Sequence, residues 1–461
     1  MQNQDRPAIS PNRSRTPHSQ EFLDFISSGW KDRADRIIEA HEVAPFAKLR
    51  REKVAAKFSG QLIVIEAGEP KTRSNDTEYR YRAHAAFAHL TGWGSKTVPD
   101  SVLVIDARNN QQDILFLRPT AGKDSNEFFA NPAIGEFWVG KRPTLEEVSA
   151  LLGIETRDLK TLDEFLGSSK TITLEDSDLA EFVSELRLIK DSYEIAEMEK
   201  AVSASILGFE EIVRSMPLAT GHERGERIIE TAFFAKARLL GNDLGYETIA
   251  AAGKNACILH WITNHGPVNK GELVLIDAGV EMDSLYTADI TRTLPVTGKY
   301  TDTQKKIYLA VLEAADAAFA IAKPGVKFRE IHEAAMKVIA KKTAEWGLLP
   351  VDEKTSLETD KQFHRRWMIH GTSHHLGIDV HDCAQARKEM YLDAELVEGM
   401  LFTIEPGLYF HEDDLLAPEE FRGIGIRIED DILVLKDGVR NLSASLPRDP
   451  DEIEAWMKSI S

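Results

Sequence analysis

Cysteine is scarce: the 461 residues hold two, Cys257 and Cys383. Two thiols cannot build a disulfide framework, which suits a reducing cytosol and a structural role for both. No apolar run approaches the ~18–20 residues that a membrane helix needs, and the N-terminus lacks the hydrophobic stretch of a signal peptide. Neither a Gly-x-Gly-x-x-Gly fingerprint after a strand nor a Walker-type loop is present, so nucleotide- or NAD-dependent chemistry has no anchor. Positive charge is in deficit: 56 Lys and Arg face 75 Asp and Glu, a formal net charge of −19. That argues against a nucleic-acid backbone or an anionic membrane surface as partner. It suits cation binding, as it would suit any solvated acidic surface. No short-period repeat is visible. The expectation is a soluble, cytoplasmic protein.

What is present is ample core-forming material, 43% hydrophobic over a length suited to two domains. Residues 1–20 are polar, with scattered Pro and Ser and no periodicity, and read as a mobile tail. Residues 21–180 alternate helix-like stretches with the apolar runs QLIVIE (61–66), SVLVIDA (101–107) and DILFLRP (113–119), an α/β unit. EFWVGKR (136–142) falls in a looser segment of it. After RLIKDSY (187–193) the texture changes. A long amphipathic helix and a second one near 222–240 lead into strand-like segments. Helices follow at about 302–322 and 328–347, and the last hundred residues read as strands and loops. The second domain is therefore set at 181–461.

The chemistry concentrates there. The stretch LVLIDAGVEMDSLYTADITRTLP (273–295) reads as two strands, 273–278 and 288–296, each carrying a carboxylate, Asp277 and Asp289, beside an apolar run. Glu405 follows Leu401, Phe402 and Ile404, and Glu429 sits in IGIRIEDD, where alternation puts Arg427 and Glu429 on one face. His374 lies in HGTSHHLG, a loop by its glycines, with His370 four residues before it. An isolated buried carboxylate is strongly unfavourable. Each acid alone could be a turn residue, a cap or the partner of an arginine. Three apolar strands that all carry acids would each need a separate buried partner. Four carboxylates and one imidazole make an oxygen-rich set suited to two divalent ions, manganese(II) in preference to a thiolate-type zinc site.

At these residues the sequence resembles the aminopeptidase P and prolidase family of metallopeptidases, whose catalytic domain has the pita-bread fold. The matching segments are CILHW (257–261), LVLIDAG with ADITRT (273–293), HGTSHHLGIDVHD (370–382), TIEPGLY (403–409) and GIRIEDD (425–431). The resemblance implies an N-terminal α/β domain followed by a pita-bread catalytic domain. It implies two divalent ions, manganese(II) favoured with zinc or cobalt as alternatives. Asp277 would ligate one ion, Asp289 and Glu429 would bridge both, and His374 and Glu405 would ligate the other. A bridging hydroxide would attack the scissile carbonyl, Glu405 would shuttle the proton, and His260 and His381 would position the substrate and stabilise the tetrahedral intermediate. His370 and Arg427 would face the substrate, Arg427 alternatively orienting Glu429.

The segment RSNDTEYRYR resembles the family's N-terminal domain, in which a loop Asp, here Asp76, reaches a neighbouring subunit's site. EFWVGKR resembles a segment that lends a neighbour its tryptophan, here Trp138. A homo-oligomer, dimer or tetramer, is implied. The activity implied is release of the first residue from peptides with proline second, with a Xaa-Pro dipeptidase as the alternative. Two departures stand out. Asp277 and Asp289 are twelve positions apart where the family usually has eleven, which places an extra residue in the VEMDSLYT turn. His375 occupies a position that is often apolar or aromatic, which leaves it a rival of His374.

Overall fold

The computed structural model describes residues 19–33, 37–75, 77–108, 111–123 and 125–460. Most of the expected mobile tail, 1–18, lies outside the described residues. Ser19 already caps the helix Gln20–Ser27, its Oγ accepting from the Phe22 N–H. The chain divides into two compact units, Met1–Leu179 and Ala180–Ser461.

The first unit is built on a five-stranded sheet. Its central strand is Val102–Asp106, antiparallel to Leu62–Glu66 on one side and to Gln112–Leu117 on the other. Thr171–Ile172 and Glu155–Asp158 add one parallel strand at each edge. Leu62, Val64, Val102, Val104, Ile114 and Phe116 form one buried cluster, against which Leu159, Leu162, Phe165 and Leu166 pack. Ile63, Ile65, Leu103, Ile105 and Leu115 alternate with them and are buried too. A sheet covered on both faces explains why its strands read as continuous apolar runs. The edge strand Glu155–Asp158 was not expected, because ETRD carries three charges in four residues and no apolar pattern.

The second unit repeats one order of elements. Helices Ser192–Ala219 and Gly225–Leu240 precede the sheet formed by Ile249–Ala252, Leu273–Ala278 and Ile290–Pro295. Helices Asp302–Ile321 and Phe328–Glu345 precede the sheet of Leu401–Ile404, Asp430–Leu435 and Gly438–Asn441. The first helix of each pair begins in a capping box, Asp191 with Glu194 and Thr301 with Gln304. The run from Ile424 to Leu435 is broken: Ile424–Arg427 pairs with Gly407–Phe410, whereas Asp430–Leu435 pairs with Leu401–Ile404. One expectation needs correction: the last hundred residues hold a helix, Pro450–Ile460, besides strands and loops. Among the described residues no helix is long and apolar enough to cross a membrane.

The first helix pair meets at Gly208. A Cβ there would lie 2.5 and 2.6 Å from atoms of the buried Phe233 ring. Helix propensity alone would make Gly208→Ala stabilising by about 1 kcal/mol. Overpacking against a ring with no room to move costs about 1–3 kcal/mol. Gly208→Ala is therefore expected to lower the unfolding midpoint in urea; a raised midpoint would show that the ring can yield.

Candidate metal centre

Asp277 is the fifth residue of Leu273–Ala278, a strand buried along its whole length and paired on both sides, with Thr291 and Ile249 opposite the aspartate. Its carboxylate therefore enters the interior. One oxygen accepts from Tyr246 Oη (2.7 Å), the other from Arg427 Nη2 (2.5 Å). Asp289 comes immediately before Ile290–Pro295, and its N–H donates to Asp431 Oδ2 (3.2 Å). Its Oδ1 meets the same Tyr246 hydroxyl at 2.5 Å. Between the two aspartates the turn reverses through Leu285, which is buried and has φ +72°. A left-handed leucine is the conformational cost of this turn. Tyr286 and Ser284 tie it to Glu194 and Glu197 of the long helix.

The other three groups come from the second sheet and its loops. Glu405 follows Leu401–Ile404, its N–H bound to Thr372 O (2.8 Å). Glu429 stands in the break between Ile424–Arg427 and Asp430–Leu435. Its N–H reaches Thr291 O (3.1 Å), and Thr291 Oγ1 donates to its Oε2 (2.7 Å). Arg292 clamps the same place, donating from Nη1 to Glu429 O (2.7 Å) and pairing with Asp430 through Nη2 (2.7 Å), both side chains fully buried. His374 faces the acids: its Nε2 is 3.2 Å from Asp289 Oδ2, 3.6 Å from Glu405 Oε1 and 3.9 Å from Glu429 Oε1. Its Nδ1 points at His375 O (3.2 Å). That partner accepts the Nδ1 proton, so Nε2 is the atom that would ligate an ion once it gives up its own proton.

Burial pushes the carboxyls of Asp277, Glu405 and Glu429 upward, Glu405 to about 7. Their mutual repulsion adds to this, most of all at Glu429. Arg427 opposes the rise. At Asp289 burial acts upward as well, but the hydrogen bonds and charge of His374, with Tyr246, outweigh it and hold the carboxyl low. His374 rises to about 9: burial alone would depress it, and Asp289 and Glu405 overcome that.

The donor set fits divalent cations. Four carboxylates converge in one pocket on the guanidinium of Arg427 and the imidazole of His374, with His370 Nδ1 3.6 Å from Glu405 Oε2. The single Tyr246 hydroxyl proton cannot serve Asp277 and Asp289 at once. Ligand atoms of Asp289, His374 and Glu429 all lie within 4.8 Å of one another, and oxygen with imidazole nitrogen is a donor set for hard or borderline ions.

The substrate-side candidates fall into two groups. His381 lies against His374, rings 4.4 Å apart and edge-on. His260, exposed on the loop after Ile249–Ala252, is close enough to depress both His381 and His370. Arg427 donates to Tyr409 Oη (3.0 Å), whose own proton goes to His370 Nε2 (2.7 Å), and His370 Nδ1–H then donates to Gly371 O (2.6 Å). Burial and Arg427 push His370 down to about 3, so it is a neutral acceptor in this relay. Arg427 Nε also binds Thr291 Oγ1 (3.1 Å), so it reaches Glu429 through that hydroxyl. Trp138 belongs to the first unit, on the short helix Glu136–Val139, exposed, its indole N–H donating to Phe129 O (2.8 Å). Asp76 lies outside the described residues.

Several participants were not singled out from the sequence: Tyr246, Thr291, Arg292 and Tyr409. Thr291, Arg292 and Tyr409 lie inside the quoted motifs, and the polar residues of ADITRT in a buried strand were the available signal. Tyr246 had none. Asp382, next to His381, is fully buried and held by Arg187 Nε (2.8 Å) and Lys190 Nζ (3.5 Å). Gly377 must be glycine, since a Cβ would lie 2.3 Å from Asp382 Oδ2.

Fold and site together define a metallopeptidase of the pita-bread type. The model of metallopeptidase family M24 matches residues 196–436, and that of the aminopeptidase P N-terminal domain matches 47–173. The chain is 45% identical to Xaa-Pro aminopeptidase 1 of Streptomyces coelicolor, over 96% of this chain and 93% of that one. It is 31% identical to the Xaa-Pro aminopeptidase of Escherichia coli, over 89% and 97%. The solved aminopeptidase PepP of Pseudomonas aeruginosa superposes with a TM-score of 0.79 at 28% identity, covering 92% of this chain and 99% of that one. The chain belongs to the Xaa-Pro aminopeptidase family of M24 metallopeptidases.

His375 turns away from the acids. It stacks on Phe328 (4.5 Å, 16°), meets Tyr391 edge-on and is fully buried, with no hydrogen-bond partner for either ring nitrogen among the described residues. Burial pushes it down to about 3, so it packs as a neutral aromatic ring. His375→Phe is expected to raise stability by about 1–3 kcal/mol, the desolvation cost of an unpaired buried polar group, and to leave divalent-ion affinity unchanged in calorimetry. Loss of ion binding would reassign the ligand to His375.

Proposed function

We propose that this chain is a Xaa-Pro aminopeptidase, which removes the first residue from peptides whose second residue is proline. The single observation that carries this reading is the convergence of Asp277, Asp289, His374, Glu405 and Glu429 in one buried pocket, in a chain 45% identical to a Xaa-Pro aminopeptidase. Asp277 would hold one divalent ion, His374 and Glu405 the second, and Asp289 and Glu429 would serve both. Manganese(II) is the native metal; a structural neighbour is a zinc-substituted E. coli aminopeptidase P in complex with product, so zinc is the alternative to test. When bound, the two ions supply Lewis-acid polarisation of the scissile carbonyl and lower the pKa of water.

The chain's own residues do the rest. Glu405 takes the proton of the attacking water and delivers it to the proline nitrogen. That nitrogen lacks an N–H before cleavage, and its ring fixes the local backbone, so the leaving group needs both a proton and a shaped pocket. His260 and His381 hold the peptide and stabilise the charge that develops on the carbonyl oxygen. His370, kept neutral by burial and by the charge of Arg427, orients the substrate beside Glu405, whose Oε2 is 3.6 Å from its Nδ1. Arg427 fixes Asp277 directly and Glu429 through Thr291. The protein works in the cytoplasm as a homo-oligomer, in which Asp76 and Trp138 of the first domain complete a neighbour's site.

Glu405→Ala is expected to remove hydrolysis of both Ala-Pro and Ala-Pro-Ala while the protein still binds divalent ions. The wild type should cleave the tripeptide efficiently. Cleavage confined to the dipeptide would identify a dipeptidase instead. Exhaustive chelation should abolish activity and manganese(II) should restore it; activity indifferent to chelation would end the metallopeptidase reading. Elemental analysis should find two ions per chain in the wild type, about one in Asp277→Asn and fewer in Asp289→Asn. Equal content in both variants would refute the division of roles between the two aspartates.

A further inference from the structure

Glu226 is a buried carboxylate on the first turn of the helix Gly225–Leu240, outside the metal pocket and fully enclosed. Four N–H groups converge on it. Oε1 accepts from Ala252 N (2.8 Å) and Asn255 Nδ2 (2.9 Å), and Oε2 from Trp261 Nε1 (2.8 Å) and Gly266 N (2.6 Å). All four donors belong to one segment, 252–266, which leaves the strand Ile249–Ala252, makes a short 3-10 turn at Gly253–Cys257 and carries His260. Beyond that turn the segment has no helix or strand of its own to fix its shape. The helix supplies the shape instead. Glu226 N–H donates to Gly266 O (3.2 Å), and Arg227 donates to the carbonyls of Asn264 (3.1 Å) and Thr263 (2.8 Å). Space is tight as well: a Cβ on Gly266 would lie 2.8 Å from Glu226 Oε2.

An ionised carboxylate accepts at about four lone-pair sites and donates at none, so this one is saturated by its loop. The indole it holds belongs to Trp261, the residue next to His260. We propose that Glu226 is the positioning residue of His260: it moulds the 252–266 segment so that the imidazole is presented to the substrate. The proposal rests on the peptidase reading, in which His260 touches the peptide. Glutamine at this position keeps the shape but turns one oxygen into a donor, which sets N–H against N–H and frees the segment.

The test is a double-mutant cycle on the manganese-loaded full chain with Ala-Pro-Ala. Glu226→Gln should lower kcat/KM on the order of 10²-fold, the scale of a 1 Å misplacement. In a His260→Ala background the same substitution should change it by less than about twofold, because the group being positioned is gone. A purely structural role would lower both backgrounds by the same factor, and that result overturns the proposal. Manganese affinity by calorimetry should stay within about twofold of wild type; its loss would also overturn it. If Glu226→Gln does not fold, Trp261→Phe, which removes one donor and keeps a ring, goes through the same cycle with the same two outcomes. A wild-type protein that cleaves no Xaa-Pro peptide sinks the peptidase reading and this proposal with it. A wild-type protein that cleaves, with multiplicative mutant effects, sinks this proposal alone.

Discussion

Mutual repulsion among four buried carboxylates is the constraint on which the catalytic unit depends. Unlike charges in a helix pair, these groups cannot turn freely to solvent: Asp277 lies on a strand buried along its whole length, and Asp289, Glu405 and Glu429 are set directly beside buried strands. Holding them together takes work from the rest of the fold. Arg427 neutralises one, His374 draws another, and the remainder is the negative charge that divalent cations are suited to balance. The same repulsion that is costly in the bare protein becomes metal affinity, since binding energy and folding energy are linked.

A second pattern is the use of buried charged side chains to shape loops that have little regular structure. Arg292 fixes the break that carries Glu429. Asp382, gripped by Arg187 and Lys190, fixes the turn after His381. Glu226 gathers the segment around His260. Arg292 and Glu226 sit on elements different from the loops they hold, whereas Asp382 lies in its own loop and is gripped from the segment that follows helix Ser177–Glu185. The loops carry the polar chemistry, and their rigidity is borrowed from helices and strands that never touch the reacting atoms.

His375 and Leu285 show how the chain absorbs its departures from the family pattern. A histidine in an aromatic position remains neutral and stacks as a ring. The longer turn between Asp277 and Asp289 closes with a buried leucine in left-handed conformation, anchored by Tyr286 and Ser284 to the long helix. Neither alters which groups face the pocket.

By itself the sequence determined that the second half of the chain carries acids and imidazoles beside apolar runs, because solvation energy makes a charge in such a run conspicuous. It also determined the long helices, whose apolar spacing and capping residues are local properties of a few adjacent positions. Tertiary structure alone decided the strand partners. The run from Ile424 to Leu435 looks uniform, yet its two halves pair with different strands, and Glu429 reaches the pocket from the break between them. It also decided that Tyr246 bridges two aspartates, that His374 and not its neighbour faces the acids, and that ETRD is an edge strand. Those outcomes depend on contacts between residues far apart in the chain, over a hundred positions for Glu429 and Thr291. Such contacts exist only once the two sheets have packed, so no window of neighbouring residues encodes them.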